Sequence, residues 1–347
     1  MDKKTYSLRI LLIVFCLGVS SFCFYRMNQS YDPLARYPYA TSENRDVLLE
    51  YLDSDDIDYL ITQQIRPETF LPFIEEPEFE LRNAYIYNAA KKTQDASNDY
   101  IVNFVNKYRS NFSKDILVEL LKHYSYVDLT TFYENEAAFN HELQLVADPS
   151  NPYVILNELR SVYKYAPEHL VDVQGYRIQS VVLEDLQAMI KDYTSIMNGE
   201  LTLSVKHGYV SYEKVLEYYN YYNSLYAGIL DYFLLPAGQS EYQLGYTISF
   251  EESDEWLDQC IQQDAFTDYD YTNVLDSIDE KSRKKLDWIE ENAYRYGFIV
   301  RYPMGKEKET KKIYQPFVLR YVGRKTAKEM HTANLVMEQM DFPNQLQ

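Results

Sequence analysis

Hydrophobic positions change their spacing along this chain, and each change predicts a different element. Lys3, Lys4 and Arg9 precede an unbroken apolar run of 16 residues from Ile10 to Tyr25. That run falls short of the ~20 residues a helix needs to span a bilayer, unless Leu8 and the residues after Tyr25 extend it. It reads as an uncleaved signal-anchor over residues 1–28, with its basic end in the cytoplasm and the bulk of the chain extracellular. The small residues Gly18, Ser20 and Ser21 leave a cleaved signal peptide as the alternative. Phe15 and Phe22 stand before Cys16 and Cys23, which argues against lipid attachment at either cysteine. Residues 29–44 carry Pro33 and Pro38 with few aliphatics and predict an extended tether.

From 45 to 144 the spacing becomes helical. Val47, Leu48, Tyr51 and Leu52 recur at helix intervals, as do Ile101, Phe104, Val105 and Tyr108, then Ile116, Leu117, Leu120 and Leu121. Ser113 is placed to cap the last of these. Asp53, Asp55, Asp56 and Asp58 lack the glycine and ligand order of a calcium loop. They suit the start of a helix, where the dipole favours carboxylates. A small helical module is the expectation.

Beyond Leu145 helices and strands alternate. Pro149, Pro152 and Pro167 predict an irregular entry, followed by a helix over 179–197 and a strand over 201–205. Ser211 is placed to cap a helix running to Tyr222. Ser277 and Glu280 suggest a capping box for a helix that ends before Gly297. Phe298–Tyr302 and Ile313–Tyr321 read as strands, and a final helix is expected over 325–340.

Charge narrows the function classes. The net charge is −19, which excludes a general nucleic-acid binder, since phosphate contacts need a basic face. Residues 281–330 nevertheless hold 14 Lys/Arg against 6 Asp/Glu, and the remainder of the chain carries −27. A solvated basic face is the plain reading of that segment. The 36 tyrosines supply apolar rings with polar tips, suited to half-buried faces and to grooves for peptides or sugars. Cys260 is the single cysteine beyond the apolar run, so no intrachain disulfide can form there, and it reads as a small buried hydrophobe. None of the five histidines has a second histidine three or four positions away. Asp268, Asp270, Thr272, Asp276 and Asp279 lack the turn glycine of a calcium loop and read as a solvated acidic stretch.

Two segments carry the candidate chemistry. The first is Ser240-Glu241-Tyr242-Gln243-Leu244-Gly245-Tyr246-Thr247-Ile248-Ser249; the second is Tyr314-Gln315-Pro316-Phe317-Val318-Leu319-Arg320-Tyr321-Val322-Gly323. They resemble the two zinc motifs, S-E-H-Q-x-G-x-A-x-D and Y-E-P-W-H-x-R-Y-V-G, of VanY-like D-alanyl-D-alanine carboxypeptidases, which trim the terminal D-alanine of cell-wall stem peptides. Glu291-Asn292-Ala293, Tyr296 to Pro303 and Gly305-Lys306-Glu307 resemble the family's E-N-A-x-x-Y-G-F-I-L-R-Y-P-x-G-K-E run. His207 to Tyr212 resembles its S-G-Y-R-S-Y segment. The resemblance covers roughly 145–340 and implies an α+β domain around a small antiparallel sheet.

The resemblance also implies which positions carry chemistry, and this chain departs at each of them. Tyr242 stands at a histidine ligand, Ser249 at an aspartate ligand and Val318 at the third ligand. Gln315 replaces the general base, and Val210 replaces the arginine that grips the substrate carboxylate. A catalytic zinc needs about three protein ligands; a phenol titrates near pH ~10, serine is uncharged, and valine has no donor. The expected catalytic set is therefore empty, with no metal and no cofactor, although the family implies zinc. Tyr209, Tyr212, Gln243 and Arg320 are expected to line a binding cleft. The function so implied is a membrane-anchored, extracellular pseudo-carboxypeptidase that binds a cell-wall stem peptide or an envelope protein without hydrolysis. Two alternatives stand beside it. One is an active zinc carboxypeptidase with relocated ligands, for instance His207 with Glu241 or Tyr242; the other is a structural component of an envelope complex.

Overall fold

The computed structural model describes residues 3–342 and divides into two compact units between Arg109 and Ser110. The first unit begins with a helix, Lys3–Ser30, longer than its apolar run suggests. Its segment Tyr6–Met27 has 22 residues and a mean hydropathy of 2.1, long and apolar enough to cross a bilayer, a test that a signal sequence also passes.

The expected extended tether is instead part of a core. Leu34 and Tyr37 are buried with Leu48, Leu60, Ile65 and Phe70, and the Tyr37 hydroxyl donates to the Ile65 carbonyl at 2.5 Å. Tyr37, which lies between the two prolines, anchors this stretch to the helices. Asp53 caps the helix Ser54–Gln63 by accepting from the Asp56 amide, as its acidic start suggested. The helices Ala84–Thr93 and Asn98–Tyr108 complete the unit.

The helix Lys114–His123, expected in the helical module, falls in the second unit, although Ser113 caps it as predicted. The reason is its C-terminal continuation. The Tyr124 hydroxyl donates to the Val146 carbonyl, and Phe132 packs with Leu143 and Tyr163, tying these helices to the irregular entry.

The second unit is built on a four-stranded antiparallel sheet, β5 (Val205–His207), β6 (Thr247–Phe250), β7 (Phe298–Tyr302) and β8 (Gln315–Tyr321), in the order β5-β6-β8-β7. A two-residue parallel pair, β1 (Gln144–Leu145) with β2 (Arg160–Ser161), and a hairpin, β3 (Leu170–Val173) with β4 (Tyr176–Gln179), precede it. In the hairpin Gln174 and Gly175 both have positive φ, at 50° and 87°, the geometry that two-residue hairpin loops require. The Gln174 side chain then accepts from the Val205 amide at 2.7 Å and so positions β5. Gly208 follows at once, and a Cβ there would lie 2.3 Å from the Arg177 carbonyl, so only glycine lets β5 leave the sheet along β4.

Three boundaries differ from expectation. β5 starts at Val205, where the 201–205 strand was expected to end. Asp279, rather than Ser277, caps the helix Glu280–Asn292, accepting from the Lys281 and Ser282 amides, because it directly precedes the first helical residue whereas Ser277 ends the preceding helix Thr272–Ser277. The last helix stops at Ala333, since Asn334 turns left-handed at φ 52° and the Leu335 amide closes back to the Met330 carbonyl.

Candidate functional site

The sheet brings the two motif segments together. In the β6–β8 ladder Thr247 faces Arg320 and Ser249 faces Val318, and in β5–β6 His207 faces Ser249. Residues two apart on a strand share a face, so the two rungs of β6 and β8 present Thr247, Ser249, Val318 and Arg320 to one side. Tyr242 precedes them on the short helical turn Glu241–Leu244, which Gly245 ends at φ 73°.

Beside the Ser249–Val318 rung lies a cavity of about 310 Å³. Val210, Tyr242, Gln315 and Val318 line it, together with His207. The opposite wall comes from the helix Tyr212–Tyr226, through Val215, Tyr218 and Tyr222, and from Trp256 and Leu257 of the helix Glu252–Gln262. Ser211 fixes the first of these helices by accepting from the Lys214 amide. Trp256 is fixed by its indole N–H, which donates to the Tyr314 carbonyl at 2.8 Å.

The charged and titratable groups here are sparse. The His207 Nε2 lies 3.8 Å from Asp254 Oδ1, and Lys206 Nζ lies 3.6 Å from the other oxygen. His207 and Lys206 hold the Asp254 carboxyl below its usual range despite partial burial. The Tyr242 phenol is pushed up to about 12 by burial, with the Ser249 hydroxyl only partly opposing the shift. The Ser249 Oγ is itself buried, near that phenol yet without hydrogen-bond geometry to any group, and the buried Nε2 of Gln315 also lacks a partner. Unpartnered buried polar atoms are uncommon in folded proteins, and two of them fall at this centre.

Zinc, which the sequence resemblance implies, asks for about three nitrogen or carboxylate donors around one point. The residues here do not fit it. Among the described residues the cavity wall offers one imidazole and one carboxylate, which already face each other. The phenol must lose a proton held up to about 12 before it can ligate well. His207 does not join Glu241, contrary to the alternative raised from sequence, because Glu241 points into a different set of partners.

That set is a buried ion network. Arg301 donates through Nε and Nη2 to both oxygens of Glu241, each at 2.8 Å, and through Nη1 and Nη2 to Glu338 at 3.1 and 2.6 Å. Arg320 Nη1 reaches Glu241 and the Thr247 hydroxyl at 3.3 Å, while its Nη2 donates to the Pro152 and Val154 carbonyls. Burial opposes the charge of Glu241, but Arg301 and Arg320 outweigh it and hold the carboxyl below its usual range.

The expected cleft-lining residues are thus redistributed. Arg320, 0% exposed, is consumed by Glu241 and backbone carbonyls rather than presented to a ligand. Gln243 is equally buried, accepting from the Gly238 amide and donating to the Tyr163 carbonyl. Tyr209 packs under the Arg177 guanidinium, and Tyr212 donates to Glu136 at 3.2 Å beside Tyr163. None of the four lines the cavity. The residues that do, and that sequence reasoning missed, are Asp254, Tyr218, Tyr222, Phe233, Trp256 and Leu257. Val215, Tyr218 and Tyr222 were legible as one helix face at intervals of three and four. Asp254 carried no signal, since it is one of several acids in the first turn of its helix.

Residues 175–324 match the family model described as VanY, D-alanyl-D-alanine carboxypeptidase. A putative carboxypeptidase, YodJ, of Bacillus subtilis is 52% identical over 52 residues, 15% of this chain and 19% of the relative. A D-alanyl-D-alanine carboxypeptidase of Enterococcus faecium is 27% identical over 176 residues, 49% of this chain and 48% of the relative. The chain thus spans about half or less of the length of the curated relatives it matches. A vancomycin-resistance D,D-pentapeptidase VanY solved in complex with Zn(II) is 23% identical, with a TM-score of 0.41, covering 54% of this chain and 97% of that one.

Proposed function

We propose, because residues 175–324 form a domain of the VanY D-alanyl-D-alanine carboxypeptidase family, that this protein is a membrane-anchored pseudo-carboxypeptidase. Its cavity binds a cell-wall stem peptide, or an envelope protein presenting a similar segment, without hydrolysing it. One observation carries the reading. His207, Ser249 and Val318 stand side by side on three adjacent strands, with Tyr242 and Gln315 close by, and this constellation offers no three-donor pocket.

The chemistry follows from the side chains. Without a bound metal, water keeps a pKa far above neutrality, and the Gln315 amide accepts no proton from it. Val210 offers no bidentate grip to a terminal carboxylate. What remains suits the uncharged parts of such a peptide. Val215, Leu257, Val318 and the aromatic rings suit methyl groups. The helix containing Tyr6–Met27 serves as the anchor, with the second unit outside the cell.

The test is D-alanine release from a pentapeptide ending in D-Ala-D-Ala. The expected outcome is no release by the natural chain, alongside a change in Trp256 fluorescence on binding, read in a Trp288→Phe background. Chelator-sensitive release would overturn the proposal. Combining Tyr242→His, Ser249→Asp, Gln315→Glu and Val318→His is expected to create zinc-dependent release where there was none.

A further inference from the structure

A second cluster of metal-ligating side chains lies apart from the cavity. Glu119 and His123 are four residues apart on the helix Lys114–His123, so they share one face, and Asp148 approaches them from the loop after β1. One ligand atom from each lies within 4.8 Å of the other two. His123 Nε2 is 3.6 Å from Glu119 Oε1 and 3.5 Å from Asp148 Oδ1.

These spacings discriminate between two readings. A direct N–H···O hydrogen bond closes to about 2.7–3.2 Å, and both separations are too long for that. Two donors each about 2.1 Å from a shared tetrahedral ion sit about 3.4 Å apart, which the observed spacing matches. The imidazole also stands between two carboxylates at nearly equal distance, as a ligand would, rather than turning toward one.

The surroundings hold the donors in place, as the outer partners of metal ligands do. Asp148 Oδ1 accepts from the Ser150 amide at 3.1 Å and from the Ser150 hydroxyl at 2.5 Å. Glu119 gives its other oxygen, Oε2, to Lys122 at 2.5 Å and keeps Oε1 toward His123. The Tyr165 ring meets the His123 ring edge-on at 5.9 Å. The Tyr124 hydroxyl pins the Val146 carbonyl, two residues before Asp148, to the end of the same helix. His123 and Glu119 are 18% and 20% exposed, sheltered yet reachable from solvent.

We propose that Glu119, His123 and Asp148 form a binding site for a divalent transition-metal ion such as zinc. One imidazole and two carboxylates supply the ligands, and the remaining position is open to water. The site ties the helix Lys114–His123 to the entry loop and is independent of the family-type centre.

Calorimetric titration of the full chain in detergent with Zn²⁺ tests this. One ion per chain is expected, bound about tenfold or more weakly in His123→Ala and in Glu119→Gln, with unchanged affinity in His207→Ala. Circular dichroism establishes that each variant is folded, and Glu119→Gln keeps shape if His123→Ala does not fold. No bound ion, or undiminished binding in both variants, would overturn this inference alone. Loss of binding confined to His207→Ala would place the ion at the cavity and overturn the proposed function as well.

Discussion

Two neighbouring rungs on one face of the sheet are partnered in opposite ways. At the Thr247–Arg320 rung, charge is buried and every charged partner comes from the chain itself: Glu241 and two carbonyls hold the Arg320 guanidinium, and Glu241 also pairs with Arg301, which Glu338 joins from the other side. At the Ser249–Val318 rung, one residue further along the same face, the partners a zinc motif would need are external, an ion and a substrate. There the side chains are a valine and a serine whose hydroxyl has no partner. The difference teaches what each set of polar residues is for. An ion network paired within the chain is kept in place by folding alone, because removing one member leaves another charge stranded. A constellation that depends on an external ligand has no such protection from folding.

The sharpest way to break this comparison is to strand the network. Glu241→Gln removes the carboxylate shared by Arg301 and Arg320 and is expected to cost about 3–5 kcal/mol, read as a shift of the urea midpoint. The pH dependence has a definite sign. Glu241 has a folded-state pKa below its ordinary 4.5, so its contribution is full above that value and is lost as pH falls through the lower, folded one. The gap between the natural chain and Glu241→Gln is therefore expected to stay constant from neutrality down to about 4.5 and to narrow in stronger acid. A gap that widens in acid would show that the network is not held by this charge.

The second test moves the opposite way, placing charge on the rung that has none. Ser249→Asp buries a carboxylate between His207 and Val318 and is expected to destabilise by about 2–3 kcal/mol. The same aspartate together with Tyr242→His and Val318→His acquires a use. Zinc at a hundredfold excess over its dissociation constant should then return about 2.7 kcal/mol, measured as zinc-dependent recovery of the unfolding midpoint. Recovery with Ser249→Asp alone would mean that His207 and Asp254 can complete a metal site unaided.

How much of this was legible in the sequence depends on how locally each feature is encoded. β7 was read to the residue, since Phe298–Tyr302 is a short apolar run bounded by Gly297 and Pro303. The Ser113, Ser211 and Asp53 ends were legible because a cap is a contact over three residues. The family resemblance brought Tyr242, Val210, Gln315 and Val318 to one cavity, because the scaffold residues around them fix the backbone. The misreadings all concern partners distant in sequence. Arg320 and Gln243 look like ligand groups in a motif, and only the fold shows Glu241, Pro152 and Tyr163 waiting for them. Asp254 meets His207 across 47 positions, and Asp148 meets His123 through a loop that periodicity cannot place. Leu34 and Tyr37 sit in a stretch whose prolines mimic a linker, while two large side chains are enough to draw it into the core.

The finest discrimination between the rungs uses single hydroxyls. Thr247 accepts from Arg320 Nη1 at 3.3 Å, whereas the Ser249 hydroxyl lies near the Tyr242 phenol without hydrogen-bond geometry. Both side chains are about 1% exposed, so burial does not distinguish them. Thr247→Val is expected to cost about 1 kcal/mol, because it removes an acceptor from a buried guanidinium whose Nε is already unpartnered. Ser249→Ala removes a hydroxyl that was desolvated for nothing, so its effect should lie within about 0.5 kcal/mol and lean toward stabilisation. The order of these two unfolding midpoints is the informative quantity. If Ser249→Ala proves the more damaging, the hydroxyl is held by the Tyr242 phenol after all, and the second rung is as self-contained as the first.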